Sequence, residues 1–156
     1  MMNTDIEKIF DNAEGRYLSE GEVQQIRSFA MGLPDRFQAA KRLGAQEEAI
    51  ATETVQRFVQ KYPEQGHHPE VREKAVRDMR ITLRYIAHCY VRDDVDFFRE
   101  AFAEWVAEIL CAMRPAVVLA DAYKMLQTVA TEKLGPDASA FQPFFESYVR
   151  ELEKWR

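Results

Sequence analysis

Residues 69–90 read PEVREKAVRDMRITLRYIAHCY, and the spacing of their apolar members decides the fold class. Val76, Met79, Leu83, Ile86 and Tyr90 recur at three- and four-residue intervals, so on a helix of about 3.6 residues per turn they lie along one face. Pro69 suits a first helical turn, because the N–H it lacks would find no partner within the helix, and the helix is expected to start near Glu70. At about 100° per residue, Arg77, Ile81, Arg84 and His88 form a second line, flanked by Lys74, Asp78 and Tyr85, on the side away from the apolar face. Between Glu70 and Arg84 the bases Arg72, Lys74, Arg77, Arg80 and Arg84 outnumber the acids Glu70, Glu73 and Asp78, in a chain whose net charge is −5. Such a helix could receive a small anion, although a solvated face laced with neighbouring ion pairs has the same pattern.

The same periodicity runs outward in both directions. Thr4 with Glu7 has the spacing of a capping box and opens a short helix through Ile6, Ile9, Phe10 and Ala13, which Gly15 ends. Ser19 with Glu22 repeats the box before Val23, Ile26 and Ala30, and Gly32 with Pro34 predicts a stop, Asp35 then capping the next helix. Residues 36–62 read as one or two helices broken near Gly44, through Phe37, Ala40, Leu43, Ile50, Val55, Phe58 and Val59. Tyr62-Pro63 closes that region, and a loop carrying His67 and His68 leads to the helix of residues 69–90. Further helices are expected over residues 96–113, 115–133 and, after Gly135-Pro136-Asp137, 138–155. The expectation is an all-α chain of seven to eight helices without internal repeats, with residues 1–156 forming one domain and residues 1–18 an N-terminal extension and turn.

Composition narrows the function classes. With 47% apolar and 12% aromatic residues, 156 residues suffice for the core of one domain. No window approaches the roughly 18–20 uncharged apolar residues of a bilayer crossing, and Asp5, Glu7, Asp11 and Glu14 crowd the first fifteen positions, so neither a membrane span nor an ordinary secretory signal is expected. Cys89 and Cys111 lie in helix-patterned apolar stretches with no metal-ligand spacing, which suits a reducing cytoplasm. The negative charge argues against nucleic acid as a partner. With no paired carboxylates, Ser/His/Asp order or Gly-rich phosphate loop in view, no enzymatic activity is expected.

Lys74-Ala75-Val76-Arg77-Asp78, then Leu83-Arg84, then Cys89, resemble the bilin helix of the phycobiliproteins, whose pattern is K-C-x-R-D followed by L-R and a second Cys. The likeness continues in order along the chain. Glu14-Gly15-Arg16-Tyr17-Leu18-Ser19 is similar to the family's GR-aromatic-L-S turn, Ala39-Ala40-Lys41-Arg42-Leu43 to its A-A-K-x-L segment, and Tyr62-Pro63 to its aromatic-Pro stop. Phe144, Phe145 and Tyr148 fit its terminal helix. The chain thus resembles the phycobiliprotein-like globins of the phycobilisome protein family, and in character the globins associated with bilin biosynthesis. The resemblance implies a globin-like helical bundle, a short N-terminal helical extension that serves subunit pairing, and a linear tetrapyrrole of the biliverdin or phycocyanobilin type.

One departure governs the chemistry that the resemblance implies. The family's thioether-forming cysteine falls on Ala75, whose methyl group forms no such bond, while Arg77 matches the residue that pairs with a bilin propionate and Asp78 the carboxylate that accepts the pyrrole N–H groups. Binding is therefore expected to be non-covalent. Ala75, Asp78 and Thr82 share the border between the polar and apolar faces, and Lys74, Arg84 and Tyr85 extend the expected site. His67 and His68, in the loop before the helix, have two readings, contact with a propionate or a solvated loop. Ile81 replaces a common aromatic and His88 a common Tyr. Cys89 matches an internal family cysteine, and no motif surrounds Cys111. Expected partners are the bilin, a second copy or a related globin subunit, and enzymes of bilin synthesis; the segment from Thr4 to Ala13, too short to be stable alone, is expected to dock on that second subunit. Two other readings remain open: a chromophore-free assembly protein in which Arg77 pairs with Asp78, and a haem-binding sensor globin using His67, His68 or His88.

Overall fold

The computed structural model describes residues 2–155, which form helices joined by short turns, with no strand among the described residues. The expected all-α, globin-like bundle is present, and its boundaries depart from expectation at points where a distant residue overrides a local signal.

Helix α1 (Thr4–Asn12) is capped by Asn3, not by Thr4 as the capping-box spacing suggested. The Asn3 carboxamide oxygen accepts from the backbone N–H of Asp5 at 2.8 Å and of Ile6 at 3.3 Å. The Thr4 N–H is taken instead by the Asp94 carboxylate at 2.8 Å, and the Asn3 amide donates to the Asp93 carbonyl at 2.7 Å. Asp93, with φ of 57°, is the left-handed residue that ends α3 (Pro69–Arg92). Ile6 and Ile9 are buried against the chain itself, while Phe10, the third apolar residue of the same segment, stays exposed.

Helix α2 (Glu20–Lys61) is the largest departure, since its 42 residues run unbroken through both the expected stop at Gly32-Pro34 and the expected break at Gly44. Ser19 and Glu22 do form the capping box. Pro34 removes a helix N–H and crowds the carbonyl one turn earlier, a defect that ordinarily costs about 3 kcal/mol. Arg36 spans the defect: its guanidinium donates to the Phe29 carbonyl at 2.8 Å, its Nε donates to the Val91 carbonyl of α3 at 3.0 Å, and its head lies 4.8 Å from the Phe29 ring centroid. Gly32 leaves room for that side chain, because a Cβ there would fall on the guanidinium. Glycine in a helix costs about 1 kcal/mol relative to Ala, and at Gly44 the burial of Leu43 and Ile50 on the same helix offsets it.

A 3-10 turn (Pro63–Gly66) links α2 to α3. After α3, Asp94 caps α4 (Val95–Phe98) by accepting from the Phe97 N–H at 2.8 Å; a π-helical turn (Arg99–Ala103) then leads without interruption into α5 (Glu104–Met113). The wider turn sets Phe102 and Ala103 into the core. Helix α6 (Ala116–Leu134) comes next, as expected. The last helix, α7 (Gln142–Glu153), starts later than residue 138 because Gly135–Phe141 winds as a 3-10 segment, and Pro143, lacking an N–H, takes the first turn of α7. Leu43 and Ile50 of α2, Leu83 and Ile86 of α3, and Leu126 and Val129 of α6 share one buried core with Phe98, whose ring lies 5.5 Å from Phe102 and 5.7 Å from Phe144. Among the described residues no helix is long and apolar enough to cross a membrane.

Candidate functional site

Packing of α3 against α2 sorts its polar residues into two groups. On the α2 side, Glu47 is nearly buried and held by Arg80 at 2.8 Å and by Arg84 at 2.6 and 2.9 Å. The Arg84 hydrogen bond, with Arg80 assisting against the opposing effect of burial, holds the Glu47 carboxyl below its ordinary range. Arg84 is thereby occupied in joining two helices. Thr82 is also withdrawn: it is buried, and its hydroxyl donates to the Asp78 carbonyl at 3.0 Å.

The second group forms an open strip. Lys74, Arg77, Ile81, Tyr85 and His88 are exposed along it, while Asp78 and Ala75 are half-buried at its border with the core. The Arg77 guanidinium donates to Asp78 Oδ1 at 3.1 and 3.2 Å, with the two side chains 65% and 41% exposed, so the pair remains accessible from solvent. Tyr85 lies face to face with Phe102 of the π-helical turn, centroids 4.4 Å apart and planes 23° from parallel. The strip thus offers a donor-only fork, an acceptor-only carboxylate and a flat aromatic wall within a few turns of helix. That donor set suits a flat molecule carrying both N–H groups and a carboxylate.

His67 and His68 are exposed before the first turn of α3, their rings edge to face at 5.5 Å. They stand ten residues or more before Asp78, about 15 Å along the axis, so the fold does not bring them beside the Arg77–Asp78 pair. Neither cysteine belongs to the strip. Cys89 is fully buried and desolvation pushes its thiol up to about 11; Cys111 is half-buried and its thiol is raised for the same reason. Two contributors escaped the sequence reading. Glu47 is one acid of the pair Glu47-Glu48 inside α2, with no local sign of which bases it serves, and the place of Phe102 depends on the π-helical turn. Among the first forty residues, Phe10, Tyr17, Met31 and Phe37 also leave large apolar area to solvent, Tyr17 being 98% exposed.

The model of the family described as "Phycobilisome protein" matches residues 10–152 of the chain. The chain is similar to the allophycocyanin alpha chain of Cyanophora paradoxa, with 29% identity over 150 residues that cover 91% of this chain and 93% of that one. It is similar to the allophycocyanin alpha chain of Galdieria sulphuraria, with 28% identity covering 88% and 90% of the two chains. The allophycocyanin alpha chain of Arthrospira platensis shows 29% identity, covering 88% and 91%.

Proposed function

Because the chain belongs to the phycobilisome protein family, we propose that it carries a linear tetrapyrrole of the biliverdin or phycocyanobilin type, held without a covalent bond on the open strip of α3. The observation that carries this reading is the composition of one border: Ala75 at the position of the family's attachment cysteine, beside Arg77 and Asp78, both open to solvent. In this role Asp78 accepts the pyrrole N–H groups and Arg77 presents its fork to a propionate, with Lys74 adding positive charge. Tyr85, backed by Phe102, bounds the flat face. Thr82 and Arg84 act indirectly, by fixing the turn that holds Asp78 and by locking α3 to Glu47. His67 and His68 are the outermost members of the set.

When bound, the tetrapyrrole supplies absorption of visible light; the chain orients it. Receiving it requires the Arg77–Asp78 pair to open, and an exposed pair is worth only about 0–1 kcal/mol. Each charge-assisted hydrogen bond formed in exchange contributes about 1.5–3 kcal/mol. Covalent capture elsewhere is disfavoured, since desolvation keeps Cys89 and Cys111 protonated. The exposed Phe10, Tyr17, Met31 and Phe37 suit pairing with a second copy or a related globin subunit, and for a carrier without a tether, enzymes of bilin synthesis are the partners this reading proposes for pigment transfer. The unpaired thiols suit a reducing cytoplasm, and no catalytic step is assigned.

One observation favours a second reading. Arg77 and Asp78 already satisfy each other and Tyr85 already has Phe102, as a chromophore-free assembly protein would require. Purification from cells that make biliverdin or phycocyanobilin, with absorption recorded before and after acid denaturation, separates the cases. The proposal expects a red visible band that departs with the pigment on denaturation. No band leaves the chromophore-free reading, a Soret band leaves the haem reading, and pigment that stays on the denatured chain refutes non-covalent carriage.

A further inference from the structure

Glu100, Glu104 and Glu108 succeed one another at four-residue steps into α5, and Trp105, Ile109 and Met113 repeat the step one position on. All three of these apolar side chains are exposed. Glu100, Glu104, Trp105 and Glu108, with Glu151 of α7 and Lys154 and Trp155 just past it, line a groove of about 540 Å³, which Ile109 and Met113 continue along α5. Among the described residues Glu108 has no ion-pair partner, whereas Glu100 and Glu104 share Arg99. Glu151 is buried, yet its carboxylate is held by Lys154 at 2.6 and 2.8 Å from a side chain that is 61% exposed. Among the described residues the groove therefore sets four carboxylates against the Lys154 ammonium and the Arg99 guanidinium, leaving Glu108 in surplus beside an exposed apolar stripe.

We propose that this groove docks an amphipathic helical segment of a partner protein whose arginines flank its apolar residues. Charge selects the occupant: a surplus of carboxylates repels anionic partners and attracts a basic one, while the stripe needs aliphatic side chains to cover it. Arginine fits better than lysine, because its guanidinium stacks on an indole and forks onto a carboxylate at once. The repeat spans residues 100–113, about 20 Å of helix, which matches a helical segment of some three to four turns. At Glu151 an incoming guanidinium exchanges with the solvent-facing Lys154. The groove shares no lining residue with the α3 strip.

The chain's two tryptophans both line the groove, which makes intrinsic emission a local probe. The full chain is titrated with a synthetic helical peptide of about five turns bearing Leu at i, i+3 and i+4 and Arg on both flanks, and with its Glu-for-Arg counterpart. A saturable blue shift with the Arg peptide alone is expected, weakened roughly tenfold by Glu108→Lys and by raised salt. Lys154→Ala removes the competing ammonium and should tighten binding, a gain that a misfolded variant does not produce. Absence of a shift with the Arg peptide, equal binding to Glu108→Lys, or binding of the Glu-for-Arg peptide overturns the proposal. So does a concentration-dependent shift in the protein alone that Trp105→Glu abolishes, because the occupant is then a second copy.

Discussion

Ala75→Cys restores to the α3 strip the one reagent it lacks, and the structure sets the size of the effect. The site is half-buried, and the change adds one sulfur atom with a helix-propensity difference of at most about 0.7 kcal/mol, so the variant should fold. Attachment is an addition: the thiolate sulfur bonds to the ethylidene carbon of the pigment and a proton is taken from solvent. At pH 8 a thiol raised to about 11, as at Cys89, lies three units below its midpoint, and only about one part in a thousand is thiolate. A thiol with the ordinary value of about 8.5 is roughly one-quarter thiolate, and Lys74 and Arg77 beside position 75 favour the anion further. The introduced thiol therefore presents on the order of a hundredfold more nucleophile than Cys89, before proximity to a bound pigment adds its own acceleration. The assay is zinc-enhanced fluorescence of a denaturing gel after incubation with an ethylidene-bearing bilin. A fluorescent band in the variant and none in the wild type is expected. A folded variant that binds bilin reversibly yet stays dark even with a competent lyase would show that the pigment lies elsewhere or faces another way.

The same geometry sets three further outcomes. Asp78→Asn should weaken binding or shift and broaden the red absorption band, and Arg77→Ala should loosen binding by roughly 1–3 kcal/mol; titration with an esterified bilin, which should be indifferent to Arg77, checks the assignment. Arg36→Ala removes the donor to the Phe29 carbonyl and the bridge to Val91, and should cost about 2–4 kcal/mol in urea unfolding, a loss that Pro34→Ala partly restores by returning the helix N–H; a change below about 1 kcal/mol would contradict the bridging role. Acid should weaken the fold through Glu47 and Asp94. Arg84 and Arg80 lower Glu47 against burial; at Asp94 burial acts upward and hydrogen bonds from Thr4 and Phe97 outweigh it, so both folded values lie below the unfolded ones near 4. The unfolded chain then binds protons first, and the contribution is complete above about pH 5 and lost as pH falls through the folded values. Urea midpoints between pH 7 and pH 3 should fall for the wild type and fall less steeply for Glu47→Gln.

What the residues state by themselves is whatever a helix decides within one turn of itself. The three- and four-residue period announces helices from end to end, the Ser19–Glu22 box and Pro69 mark two of their starts, and the row from Lys74 to Cys89 carries the family likeness together with its missing thiol. The places where local reading fails are those where a distant partner supplies the deciding bond. Gly32-Pro34 carries the full signal of a helix stop, but Arg36 reaches Val91, 55 residues away, and α2 continues. Thr4 has the spacing of a cap, but Asp94, 90 residues away, takes its N–H and leaves the cap to Asn3. Arg77 and Arg84 look equivalent on one line of α3, yet Glu47 of α2 claims only Arg84 and leaves Arg77 open with Asp78. Spacing along a helix encodes which residues share a face; which face meets another helix, and which charge finds its counterion there, is set by packing between segments that the local pattern does not relate.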